Sequence, residues 1–231
     1  MKKTLNNIFL SILFLILFII PWTFLFSGVF VFAFFIYCTY LVIYIGYHFI
    51  KNKKGLPSLK KYDSSLFFNY ISIAIFINTL FLLILNMLPS SVSYNLQYNY
   101  LSMYNGSKTW LYIILSCFLC PLFENLLIRR NIIRFNNKKT KIILAIISSV
   151  IILIIQPSVI YGIYVFMTFL ILNLYFIEKE DLGKCITLNI IINLTYSLML
   201  LYLSEYKTLI CMVMFILLII NLFLNKEKET V

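Results

Sequence analysis

"TWLYIILSCFLCPLFENLLIRR", residues Thr109 to Arg130, decides how this chain folds. No charge occurs from Thr109 to Phe123; Glu124 then stands alone, and Arg129 and Arg130 close the run. An apolar stretch of about 20 residues has the length of a membrane-spanning helix. A backbone in hydrocarbon must satisfy its own hydrogen bonds, and this stretch lacks the two-residue alternation of a barrel strand, so it reads as a helix. Its one carboxylate sits where a spanning helix carries no charge unless the charge has a use or a partner.

The rest of the chain repeats this character. It has 231 residues, 62% of them hydrophobic, and a mean hydropathy of +0.98. Globular chains are nearer half apolar. The expected fold is an all-α polytopic transmembrane helix bundle of about eight spans: 8–26, 28–50, 64–88, 109–130, 142–156, 158–177, 185–203 and 207–224. The first two would form a hairpin around Ser27 and Gly28, with Pro21 kinking the first. The fifth is short for a span, which implies tilt or an interfacial position.

With the N-terminus inside, only Lys108 and Lys207 of the 19 Lys and Arg residues fall on the outer side. The other 17 fall on the inner side, as the positive-inside rule demands, and both termini are expected in the cytoplasm. The net charge of +11 is therefore read as an orientation signal that also meets anionic lipid head groups. No aromatic-interleaved basic groove or nucleic-acid motif competes with that reading.

Lys2 and Lys3 before an apolar stretch resemble a signal peptide, but no small-x-small cleavage site follows, and a retained first helix is expected. Residues 1–231 read as a single membrane domain. The loop 51–63 carries Gly and Pro punctuation, and the tyrosine-rich segment 89–108 suits the outer interface, with Trp110 as an anchor. Cys38, Cys117, Cys120, Cys185 and Cys211 all lie within spans; an odd set in lipid is no disulfide framework. Cys117 and Cys120 form C-x-x-C without a second pair, which favours small packing residues over a metal or redox pair.

The polar residues at membrane depth are few. Glu124 is the only acid well inside a span; Arg129 and Arg130 lie near the cytoplasmic end; His48, the sole histidine, ends the second span. The neutral set is Asn69, Asn78, Asn86, Asn125, Gln156, Asn173, Asn189 and Asn193. Asn125 and Arg129 are i and i+4 and share a helix face, as do Asn189 and Asn193. Glu124 is i−5 from Arg129, within reach of a salt bridge, with Arg130 and Arg134 snorkelling to head groups. Gln156, just before Pro157, could bond carbonyls freed by a helix end. There is no G-x-S-x-G, H-E-x-x-H, P-loop or pair of intramembrane aspartates. One His with one Glu does not make a metal site, and no cofactor is expected.

The order and spacing of these positions resemble the CAAX protease and bacteriocin-processing family of intramembrane proteases, also called the Abi family. Its first motif reads P-x-x-E-E-x-x-x-R. Here Pro121, Glu124 and Arg129 match, and Asn125 replaces the second Glu. The second motif is F-x-x-x-H after a pair of small residues; Ser148 and Ser149 are present, with Ile152 and Gln156 at the Phe and His positions. The third, H-x-x-x-N, falls on Asn189 to Asn193, with Asn189 for the His. The resemblance covers about residues 110–203.

It implies a bundle of about eight helices in which glutamates activate water and histidines stabilise the oxyanion or hold a metal. Asn125, Gln156 and Asn189 cannot accept a proton as those groups would. The expectation is a non-catalytic member of the bacterial plasma membrane. Its former site, lined by Glu124, Asn125, Arg129, Gln156, Asn189 and Asn193, would bind a hydrophobic peptide or a partner transmembrane helix, as in bacteriocin self-immunity or regulation of surface proteins. The alternatives are an active intramembrane endopeptidase using Glu124 and an unrelated membrane scaffold or transporter component. Were Glu124, Gln156 and Asn189 to lie apart in space, both family-based readings would fall and the unrelated scaffold or transporter would remain.

Overall fold

Long apolar runs with internally bonded backbones give helices and nothing else among the described residues of the chain. The computed structural model describes residues 16–17, 19–21, 23–24, 29–52, 64–87, 109–133, 137–156, 158–202 and 216. Six long helices fall within them. These are α1 (Phe30–Asn52), α2 (Ser64–Met87), α3 (109–133), α4 (Lys138–Ile155), α5 (Val159–Lys179) and α6 (Leu182–Tyr202). Three stretches are long and apolar enough to cross a membrane: Trp110–Arg130, Val159–Lys179 and Leu182–Met199. The apolar stretches Phe30–Gly46 in α1 and Asn69–Leu85 in α2 are shorter. The expected hairpin turn at Ser27 and Gly28, most of the 8–26 span and nearly all of the 207–224 span lie outside the described residues.

The helix boundaries follow from capping chemistry. The 142–156 span was expected to be short, yet α4 begins at Lys138, four residues earlier. Asn137 Oδ1 accepts from the Thr140 backbone N–H at 2.8 Å and from Thr140 Oγ1 at 2.7 Å, which satisfies donors that a helix start leaves open. The 18 residues of α4 then rise about 27 Å. Between α5 and α6 the chain turns within two residues. Glu180 takes a left-handed conformation (φ 50°) and its N–H bonds Phe176 O, while Asp181 Oδ1 accepts from the Lys184 N–H. Lys141 of α4 pairs with Glu180 and ties this turn down.

α4 and α5 form a hairpin, α2 lies along α6, and α3 touches α1, α4, α5 and α6. α4 turns small and polar side chains inward and most of its large aliphatics outward. On α4, Ala145, Ser148, Ser149 and Ile152 are buried, while Ile143, Ile147, Val150 and Ile154 are exposed. In water that arrangement would waste the hydrophobic effect; in lipid, close helix contact and interhelical hydrogen bonds drive packing instead.

α3 is not a uniform α-helix. Its winding is α over Thr109–Ile114, π over Leu115–Leu119, α over Cys120–Glu124 and π over Asn125–Ile133. Pro121 accounts for the first wide turn. Its ring would strike the carbonyl one α-turn earlier, and its missing N–H breaks the ladder. Opening the turn so that the Cys120 N–H bonds Leu115 O makes room for it. The second wide turn starts at Asn125, directly after the buried carboxylate.

Candidate functional site: a buried carboxylate and an unpaired guanidinium

Pro121 delivers Glu124 and Asn125 into the interior of the bundle, and both are buried with Phe123. The Glu124 carboxylate is occupied on both oxygens. Asn189 Nδ2 of α6 donates to Oε2 at 2.8 Å, and Cys120 Sγ donates to Oε1 at 3.4 Å. Asn189 is itself held: its Oδ1 accepts from Asn193 Nδ2 at 2.9 Å, and the same Nδ2 also bonds Asn189 O at 2.8 Å. The result is a directed chain, Asn193 to Asn189 to Glu124, that joins α6 to α3.

Asn125 points elsewhere. Its Nδ2 donates to Pro121 O at 2.7 Å, and its Oδ1 has no hydrogen-bond partner. The same carbonyl also accepts from the Asn125 backbone N–H. The side chain thus acts on its own helix rather than as a partner to Glu124.

Arg129 was expected to bridge to Glu124. It is fully buried, and its Nε, Nη1 and Nη2 all lack a hydrogen-bond partner. No ion pair joins it to Glu124 among the described residues. The two charges are within coulombic reach without a direct hydrogen bond between them. The guanidinium instead lies over the Phe169 ring of α5, 4.6 Å from its centroid, a cation–π contact. Arg130, expected to snorkel, sits beside the Tyr44 ring at 5.7 Å; Arg134 lies outside the described residues.

Gln156 was expected to bond carbonyls at the end of α4. It does not: Oε1 and Nε2 both lack hydrogen-bond partners. The side chain packs instead on Gly162, where an added Cβ would lie 3.4 Å from Gln156 Cβ. Gln156 shares no hydrogen bond with Glu124 or Asn189. Of the six residues expected to line one site, Glu124, Asn189 and Asn193 are linked, Asn125 and Arg129 adjoin them on α3, and Gln156 belongs to the α4–α5 turn.

Three polar features were not assigned from sequence. Cys120, expected as packing, is a thiol donor to Glu124; its i−4 spacing from Glu124 on α3 was the available signal. Asn78 of α2 donates to Ile192 O at 2.9 Å and Thr195 Oγ1 at 2.7 Å, and accepts from Tyr164 OH at 2.5 Å, so it joins three helices. Asn173 of α5 donates to Ala145 O, Ser148 Oγ and Ser149 Oγ of α4, at 3.3, 3.2 and 3.4 Å. The paired serines therefore serve as a docking point for an amide. Phe169, under Arg129, carried no signal beyond being one aromatic in an apolar run.

Among the described residues, no three His, Cys, Asp or Glu side chains come together as metal ligands would. No protein-family model matches the chain, and comparisons with characterised proteins and with solved structures find no match.

Proposed function

We propose that this chain is a non-catalytic relative of the CAAX-protease and bacteriocin-processing membrane family that works by binding a hydrophobic peptide or partner helix. The observation that carries the reading is the state of Glu124. It is the one buried carboxylate among the described side chains, and the groups that bond it are an amide, Asn189, and a thiol, Cys120, rather than a second carboxylate or an imidazole. A general base must hold its proton acceptor toward a water or substrate. Here the neighbouring position is Asn125, whose amide bonds Pro121 O, and Asn189 stands where a proton-transferring imidazole would be needed. Amides orient and donate; they do not shuttle protons.

The proposal includes about eight spans with both termini cytoplasmic, in a bacterial plasma membrane, with lipid around the exposed aliphatic faces. The distribution of Lys and Arg supports that orientation. Reporter fusions test it: a fusion in 51–63 should report cytoplasm and one in 89–108 the outside. The opposite pattern sinks the topology.

A cleavage assay on a membrane-anchored peptide, run with wild type and Glu124→Ala, tests the absence of catalysis. Neither protein is expected to cut. Turnover by wild type that is lost in Glu124→Ala would overturn the reading in favour of an endopeptidase.

A further inference from the structure

We infer that Arg129 is the receptor for an oxyanion, a carboxylate or phosphoryl group, that the bound ligand brings into the bundle. The inference deepens the binding reading of this site and rests on it. A guanidinium carries five N–H donors in a planar fork and stays ionised in proteins. Burying such a charge without an anion or hydrogen bonds is among the most costly arrangements a protein can hold. Arg129 is 0% exposed, and all three of its nitrogens lack hydrogen-bond partners.

Among the described residues, no acceptor meets that demand. Glu124, the nearby anion, bonds Asn189 and Cys120, and no ion pair joins it to Arg129 among the described residues. Cys185, within coulombic reach of Arg129, donates its thiol to Leu172 O. Phe169 lies 4.6 Å from the guanidinium, and the N–H groups along the guanidinium edge meet no acceptor among the described residues. That edge is the geometry that takes a carboxylate or phosphate through two parallel bonds.

Two orphan acceptors accompany it. Asn125 Oδ1, four residues before Arg129, and Asn173 Oδ1, four residues after Phe169, have no hydrogen-bond partner. These oxygens are acceptors, so they would meet an N–H- or O–H-bearing part of the ligand rather than the oxyanion itself.

The whole protein in neutral detergent micelles tests this by thermal unfolding against titrated acetate, inorganic phosphate and acetamide, the last being uncharged and nearly the same shape as acetate. The same unfolding is then measured in nanodiscs with and without anionic phospholipid. Ligand that binds the folded state raises Tm. Acetate or phosphate should raise Tm saturably in wild type. Acetamide should bind at least about tenfold more weakly, the scale of one hydrogen bond to a charged group. Arg129→Gln should abolish the anion-specific shift, while Glu124→Gln, which removes a nearby negative charge, should enlarge it. A shift confined to nanodiscs with anionic lipid assigns the oxyanion to the headgroup of an anionic phospholipid; a shift with free acetate or phosphate assigns it to a soluble or peptide-borne group.

Equal shifts with acetate and acetamide, no shift with any anion or anionic lipid, or an anion shift that survives Arg129→Gln would each overturn the proposal. The comparison of acetate with acetamide on wild type decides the matter even if a variant fails to fold. Turnover in the cleavage assay would overturn the non-catalytic reading without altering these titrations, and flat titrations would remove the anion site without altering the cleavage result.

Discussion

Asn189 on α6 places its Nδ2 2.8 Å from Oε2 of Glu124 on α3, across 65 positions of sequence. One amide thus fixes a buried charge and the spacing of two helices at once. Its removal should be costly. Asn189→Leu leaves Glu124 Oε2 without its donor and strips Asn193 of an acceptor. A loss of about 1.5–3 kcal/mol is expected, the range for hydrogen bonds to charged groups. Thermal unfolding in detergent would read it, and the double variant with Glu124→Leu should recover only part of the loss, because the carboxylate that Asn189 serves is gone while buried Arg129 loses its nearby anion.

Gln156 should behave in the opposite way. Its amide is buried and makes no hydrogen bond. Gln156→Leu keeps the bulk, removes two unmet polar atoms, and should stabilise the protein by about 1 kcal/mol or more. A clear loss of stability would show that the amide has a partner in the membrane.

Asn78 holds α2, α5 and α6 through three hydrogen bonds. Tyr164→Phe removes one of them and should cost about 0.5–1.5 kcal/mol. Asn78→Leu removes all three and should cost more. Equal losses in the two variants would mean that only the Tyr164 bond carries weight.

Gly162 packs where α5 leaves the turn after α4. A Cβ there would stand 3.0 Å from Leu153 O and 3.4 Å from Gln156 Cβ. Helix propensity favours Gly162→Ala by about 1 kcal/mol, whereas overpacking costs about 1–3 kcal/mol. The obstructing atom is a backbone carbonyl at the end of α4, which cannot rotate away as a side chain would. Gly162→Ala should therefore lower Tm, and Gly162→Ala with Gln156→Ala should recover only part of the loss.

The helices were legible because membrane helices announce themselves by length and apolarity. The expected 64–88 and 158–177 spans lie within two residues of α2 and α5 at each end. The start of α4 was missed because Lys138, Lys139 and Lys141 look like loop to a hydropathy reading, whereas Asn137 caps a helix through them. The link from Glu124 to Asn189 was a matter of both being polar at depth, and polar groups in lipid seek one another. The absent pair between Glu124 and Arg129 was not legible: sequence gives charges and spacing, but not which donors reach a carboxylate first. Nor could sequence foresee that Gln156 would remain unpaired, since that depends on how tightly Gly162 draws α5 against it.

The wide turns of α3 give this helix a reserve of length. In an α-helix each residue advances the face by about 100°, so losing or gaining one position would swing every later side chain to another side of the bundle. A π turn holds an extra residue within one revolution. Rewinding Asn125–Ile133 to α would return that residue to the helix, lengthen it, and rotate Arg129 off the Phe169 ring while Glu124 stayed with Asn189. The chain thus holds its two interior charges on independent mountings, one anchored to α6 and one that a single change of pitch can turn.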